Sequence, residues 1–245
     1  MCYNAEQLEL ASLKYAVKHG FAEPEALTRF YERVVNSAHY WASGFNHPSL
    51  LIINDSGIAW YEWGLIPHWC KDISLARDIQ NKTLNAVGET VFEKPSFKKS
   101  ILSQRCLLPV SGFYEWREFN KQKYPYHIHL KSDEVFCLGC IYDTWVDKNT
   151  GEVITTFAIL TTPANPLMEK IHNLKKRMPL IIPQDQMKNW VDPELPIEDI
   201  KELLKPYDEA DMEAYTISKT VNNTRNNRNV PESLERVEYP ELTPL

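Results

Sequence analysis

The sequence predicts an α+β fold in which a curled, mostly antiparallel β-sheet forms a barrel-like core flanked by helices. Between residues 105 and 162, "RCLLPVSGFYEWREF", "YPYHIHLK", "EVFCLGCIYDTWV" and "VITTFAILTT" are strand-like runs separated by short polar turns. Closely spaced strands of this kind pair antiparallel, and a long succession of them curls. The longer helix-like stretches, at 5–19, 24–36, 184–190 and 196–204, lie outside this succession. The 245 residues, 43% hydrophobic and 24% charged, supply enough apolar surface for a sizeable core.

In order, residues 5–19 ("AEQLELASLKYAVKH") and 24–36 ("PEALTRFYERVVN") have helical periodicity, with Gly20 closing the first and Pro24 suited to the first position of the second. The apolar, β-branched stretch Ser49 to Trp63, broken by "NDSG", predicts a hairpin. A loop rich in Pro and Trp follows, then short helical pieces and turns over 72–102, then the strand succession. Helices return at 184–190 and 196–204, and the last thirty residues are polar, with "NNTRNNRN" reading as a loop. With no internal repeat and no linker composition, residues 1–245 are expected to form one domain.

Several function classes are disfavoured. No apolar run approaches the roughly 18 residues that span a bilayer, and the acidic residues of the first helical stretch do not suit a secretory or transit peptide. An intracellular protein is expected, in the cytoplasm or nucleoid if bacterial. Five cysteines, at positions 2, 70, 106, 137 and 140, lack disulfide-framework spacing and fit a reducing compartment. A net charge of −6 is not the footprint of a generally basic nucleic-acid binder, so any such binding needs a local basic groove.

The start "MCYN" raises the sharpest chemical question. Were Met1 removed, Cys2 would carry an α-amine and a thiol on adjacent carbons, with ordinary pKa values of about 8 and about 8.5, both partly nucleophilic near neutrality. "SGFYEW" places Glu115 among aromatics, on the strand face of Phe113 rather than of Tyr114 and Trp116. Such a carboxylate either turns to water or is buried with a raised pKa suited to proton transfer. His172 and Arg177 precede an apolar run, and a histidine there serves either structure or acid–base chemistry. Asn85 in "TLNAVGET" either orients a substrate or caps a following helix. Trp63 and Trp69, beside Gly64 and Pro67, are either core or stacking platforms for unpaired bases. "CLGC" points its thiols to opposite faces of a strand and lacks the second pair a zinc site needs, so no metal is expected there. His127 and His129 share a strand face, as metal ligands can, and equally fit an exposed strand.

Taken together and in this order, "MC", "WGLIPHW", "LNAVGET", "GFYEW", "LTTPAN", "IH" and "RMP" resemble the SOS-response-associated peptidase (SRAP) family, whose members process abasic sites and crosslink to damaged single-stranded DNA. The resemblance runs from about residue 2 to 225 and leaves a polar tail at 226–245. It implies removal of Met1 and attack of Cys2 on the ring-opened aldehyde of an abasic sugar. Amine and thiol would close successively on one carbon to give a thiazolidine. It further implies that Asn85 positions cysteine and sugar, that Glu115 acts as acid and base, and that His172 assists ring opening and reversal. Trp63 and Trp69 would shape the DNA site, with Thr161, Thr162 and Asn165 lining the pocket and Arg177 contacting DNA. Implied partners are abasic single-stranded DNA alone, with no cofactor, metal or membrane, for a monomer with an associated autopeptidase activity.

The family's usual arginines are replaced here by Asn4 and Val87, and "NLKK" follows the histidine where the family has its arginine two residues on. Arg77, Arg105, Arg177, Arg225 and Arg228 are the candidate substitutes, with Arg177 favoured by its place in "RMP". Two other readings stand beside this one: an N-terminal-nucleophile cysteine amidohydrolase or peptidase, and a non-catalytic single-stranded DNA-binding module.

Overall fold

The computed structural model describes residues 2–132 and 134–242. In chain order its strands are Asn4–Leu8 (β1), Ala38–Ser43 (β2), Ser49–Asn54 (β3), Gly57–Trp63 (β4), Asn85–Val87 (β5), Arg105–Val110 (β6), Gly112–Phe119 (β7), Gln122–Leu130 (β8), Phe136–Val146 (β9), Val153–Pro163 (β10), Arg177–Pro179 (β11), Ile181–Ile182 (β12) and Met212–Thr216 (β13). Strands β3, β4, β10, β9 and β6 pair in a closed ring, antiparallel throughout except for the parallel β4–β10 contact. A second sheet, ordered β13-β8-β7-β1-β2, lies against this barrel. The predicted α+β class, with its curled antiparallel core and flanking helices, is the fold observed.

Unbroken apolar runs explain why the ring is buried on both sides. In β3, Leu50 and Ile52 face one core with Cys2, Phe113 and Ile128. The intervening Leu51 and Ile53 face a second core with Leu13 and Ala16 of the helix Glu9–Lys18. Cys137 and Cys140 divide between these two cores, as expected for residues three apart on a strand. All five cysteines are buried and free.

The N-terminal segment departs from the helical expectation for 5–19. Residues 4–8 form β1, and the helix occupies only Glu9–Lys18. Tertiary pairing overrides local propensity here, because β1 is hydrogen-bonded on both sides, Asn4 opposite Ser43 and Ala5 opposite Phe113. Gln7, fully buried, adds a link to the barrel: its amide accepts from Leu51 N and donates to the Leu51 and Pro109 carbonyls, each at 2.9 Å. Gln7→Leu strands these backbone groups and is expected to lower stability by about 2–4 kcal/mol in urea unfolding. The 24–36 stretch is two short helices, Ala26–Arg29 and Tyr31–Val35, with Pro24 before the first. The C-terminal helices are Met187–Val191 and Ile197–Leu203. No helix among the described residues is long and apolar enough to cross a membrane.

Candidate active site

Because β1 is an interior strand, the residues leading into it are fixed beside β7. Cys2 is wholly buried, its thiol 3.6 Å from the Asn4 carbonyl, and the Tyr3 carbonyl accepts from Gly44 N at 2.9 Å. Glu115 sits on β7, 3% exposed, on the face of Phe113 that turns toward the core. Burial pushes its carboxyl from an ordinary 4.5 up to about 7. Burial also raises the Cys2 thiol far above the usual thiol range, and the negative charge of Glu115 adds to this. Cys2 is therefore a neutral thiol, unlike the thiolates of cysteine hydrolases.

His172 follows the helix Pro166–Ile171 as its C-terminal cap. Its Nδ1 lies 2.9 Å from the Arg177 carbonyl, which only accepts, so Nδ1 carries the proton and Nε2 presents a lone pair. That lone pair faces Glu115 Oε2 at 3.8 Å. Desolvation lowers the imidazole to about 4, so near neutrality this is a contact between a neutral imidazole and a half-ionised carboxyl, not an ion pair. The "NLKK" insertion is a turn beyond the histidine, and His172 keeps its place against Glu115.

Tyr3, Glu115 and His172 line one cleft of about 430 Å³ together with Trp116, Lys123, Lys175, Asn222 and Arg228. Lys123, Lys175 and Arg228 bring three cations to this wall in a protein of net charge −6, with Glu115 and Glu118 beside them. Sequence reasoning passed over Tyr3, Trp116, Lys123 and Lys175. Trp116 was the most legible of these, standing next to Glu115; its indole N–H donates to Asn222 Oδ1 at 2.6 Å.

Asn85 caps no helix. It lies on β5, paired with Ile159 of β10, and among the described residues neither buried atom of its amide has a hydrogen-bond partner. A buried amide left so is unusual and fits a group that awaits a ligand. Its neighbour Leu84 packs in the same core cluster as Cys2.

The other expected DNA-contacting residues do not line this cleft. Trp63 has no exposed surface; it stacks on Phe157 and donates to the Leu84 carbonyl at 2.8 Å, so it presents no platform to a base. Trp69 is 43% exposed, against Pro95, and does not line the cleft. Thr161 and Thr162 are buried on β10. Asn165 caps the helix before His172 by accepting from Met168 N, and donates to the Tyr207 carbonyl at 2.8 Å. Arg177 is held by both oxygens of Glu89 and by the Thr161 carbonyl. Arg105 is buried on the backbone carbonyls of Trp190, Ile101, Leu102 and Asp192, and Arg77 pairs with Glu62. His127, expected as a metal ligand or an exposed residue, is instead buried against Glu6 at 2.8 Å. No three His, Cys, Asp or Glu side chains converge as a metal site among the described residues. Met1 lies outside the described residues.

The chain matches the family model "SOS response associated peptidase (SRAP)" over residues 23–224. It is 40% identical over 214 residues to the abasic site processing protein YoqW of Bacillus subtilis, covering 82% of this chain and 91% of that protein. It is 30% identical over 190 residues to the abasic site processing protein HMCES of Xenopus tropicalis, covering 69% of this chain and 55% of the relative. Among solved structures, a Bacteroides thetaiotaomicron protein superposes with a TM-score of 0.88 at 35% identity, covering 97% of this chain and all of that one. With the family model spanning most of the chain and relatives this similar on both sequence and fold, the protein belongs to the SRAP family.

Proposed function

We propose that this protein processes abasic sites in single-stranded DNA by covalent capture, with Cys2 as the nucleophile once Met1 is removed. The observation that carries the reading is Glu115: a buried carboxyl poised at about 7, close enough to raise the Cys2 thiol and 3.8 Å from His172. A proton donor that is half-ionised near neutrality is what a sequence of proton transfers needs.

The reaction begins on the closed sugar. His172 Nε2 takes the proton of the sugar hydroxyl and returns it to the ring oxygen as the ring bond breaks, which opens the aldehyde. The Cys2 α-amine adds to the aldehyde carbon, its proton passing to the new oxygen, to give a carbinolamine. Glu115 gives its proton to the departing hydroxyl, water leaves and a protonated imine forms. Glu115, now a carboxylate, takes the Cys2 thiol proton as sulfur bonds to the imine carbon and the C=N electron pair returns to nitrogen. The product is a five-membered thiazolidine with one water lost overall, and the thiol proton has restored Glu115 to its acid form. Asn85 would hold the sugar oxygens with its unpartnered amide. Holding sulfur beside the imine gives a high effective concentration, which favours ring closure over β-elimination and strand scission.

Autocatalytic removal of Met1 would be the peptidase activity of the same site, with Glu115 moving the proton. The test is intact-mass spectrometry before and after mixing with an abasic single-stranded oligonucleotide. The expected species begins at Cys2 and gains the oligonucleotide mass less one water. An active protein that retains Met1 overturns the reading.

A further inference from the structure

Arg177, the cation favoured by the sequence pattern, has its guanidinium engaged by Glu89 and by Thr161. The two other arginine positions of the pattern are Asn4 and Val87. The cations that line the cleft are instead Lys123, Lys175 and Arg228.

The insertion after His172 supplies one on a built support. Lys175 N and Lys176 N both return to the His172 carbonyl, at 3.3 and 2.8 Å, and Lys176 takes a left-handed φ of 49° to close the turn. Asn173 fastens this turn to β7 as a strand would: its amide donates to the Glu118 carbonyl at 2.8 Å and accepts from Glu118 N at 3.0 Å. The turn thereby sets Lys175 on the wall of the same cleft as Glu115 and His172. The charge of Lys175 is felt at both groups, lowering the pKa of each behind the larger effect of burial. Adjacent Lys176 pairs with Glu169 at 3.5 Å and does not line the cleft.

We propose that Lys175, carried on the 173–176 turn, binds a phosphate of the DNA strand beside the captured sugar and supplies the contact that arginine would otherwise make. This rests on the abasic-capture reading above. The probe is an abasic single-stranded oligonucleotide, with either a natural or a neutral methylphosphonate linkage next to the lesion, on each side in turn. Binding is read by anisotropy across a salt series in a Cys2→Ala background, and adduct formation is read separately with Cys2 intact. Lys175→Gln is expected to weaken binding roughly fivefold and to reduce the slope of log affinity against log salt by about 0.7, the value for one single-strand phosphate contact. The methylphosphonate on one side should cost the Lys175-containing protein the same factor and the Lys175→Gln protein nothing, while Lys176→Gln leaves both quantities unchanged. Equal methylphosphonate losses with and without Lys175, or equal effects of the two lysine substitutions, overturn the proposal. If no oligonucleotide forms an adduct yet the anisotropy pattern holds, the capture reading falls and the Lys175 contact stands.

Discussion

On the capture proposal, Cys2→Ala is expected to lower the rate of heat-stable adduct formation with an abasic oligonucleotide by at least ~10³-fold, because no second nucleophile is then held beside the imine carbon. The variant keeps an α-amine, so a borohydride-trappable imine persists and hydrolyses when the reductant is omitted. Noncovalent affinity stays within about twofold, since the thiol is buried and offers no surface to the strand. Loss of one sulfur atom from the core costs about 1 kcal/mol, too little to unfold the protein. A heat-stable adduct from Cys2→Ala would move the nucleophile elsewhere.

Glu115→Gln has two separable effects. In adduct formation it removes the proton carrier, and a loss of about 10²–10⁴-fold is expected at pH 7 with noncovalent affinity nearly unchanged. Equal losses in rate and affinity would demote Glu115 to a binding residue. In stability the change has the opposite sign. The folded carboxyl titrates near 7 instead of 4.5, so its contribution to stability is fully present below about pH 4.5 and is lost as the pH rises through 7. Glutamine carries no charge to desolvate. The variant should therefore match the parent below pH 4.5 and become more stable above it, by about 3 kcal/mol at pH 8. Urea unfolding at several pH values measures the difference directly, and His172, lowered to about 4, acts in the opposite direction.

The strand-rich centre was legible because its sequence alternates long apolar runs with short polar turns, and the β3–β4 hairpin follows its "NDSG" turn. The start of the chain was not. "AEQLEL" satisfies helical periodicity as well as strand alternation, and only pairing with β2 and β7, residues far along the chain, decides between them. Within the site, alternation correctly put Glu115 with Phe113, since adjacent residues of a strand must face opposite ways. It could not reveal that Arg177 is engaged by Glu89, because an ion pair between residues 88 apart leaves no local signature. Trp63 illustrates the converse difficulty: a tryptophan beside glycine reads the same whether its ring meets a base or Phe157. Lys175 lay hidden in a departure from the family pattern, where comparison has least to say.

The interior position of β1 sets an order of events during synthesis. One neighbour, β2, follows within a few dozen residues, but the other, β7, ends only at Phe119. At roughly 5–20 residues per second, translation leaves on the order of ten seconds between the making of the first strand and the arrival of its second companion. Throughout that interval β1 lacks the partner on its second edge, and only the arrival of β7 completes the enclosure in which the Cys2 thiol has no exposed surface.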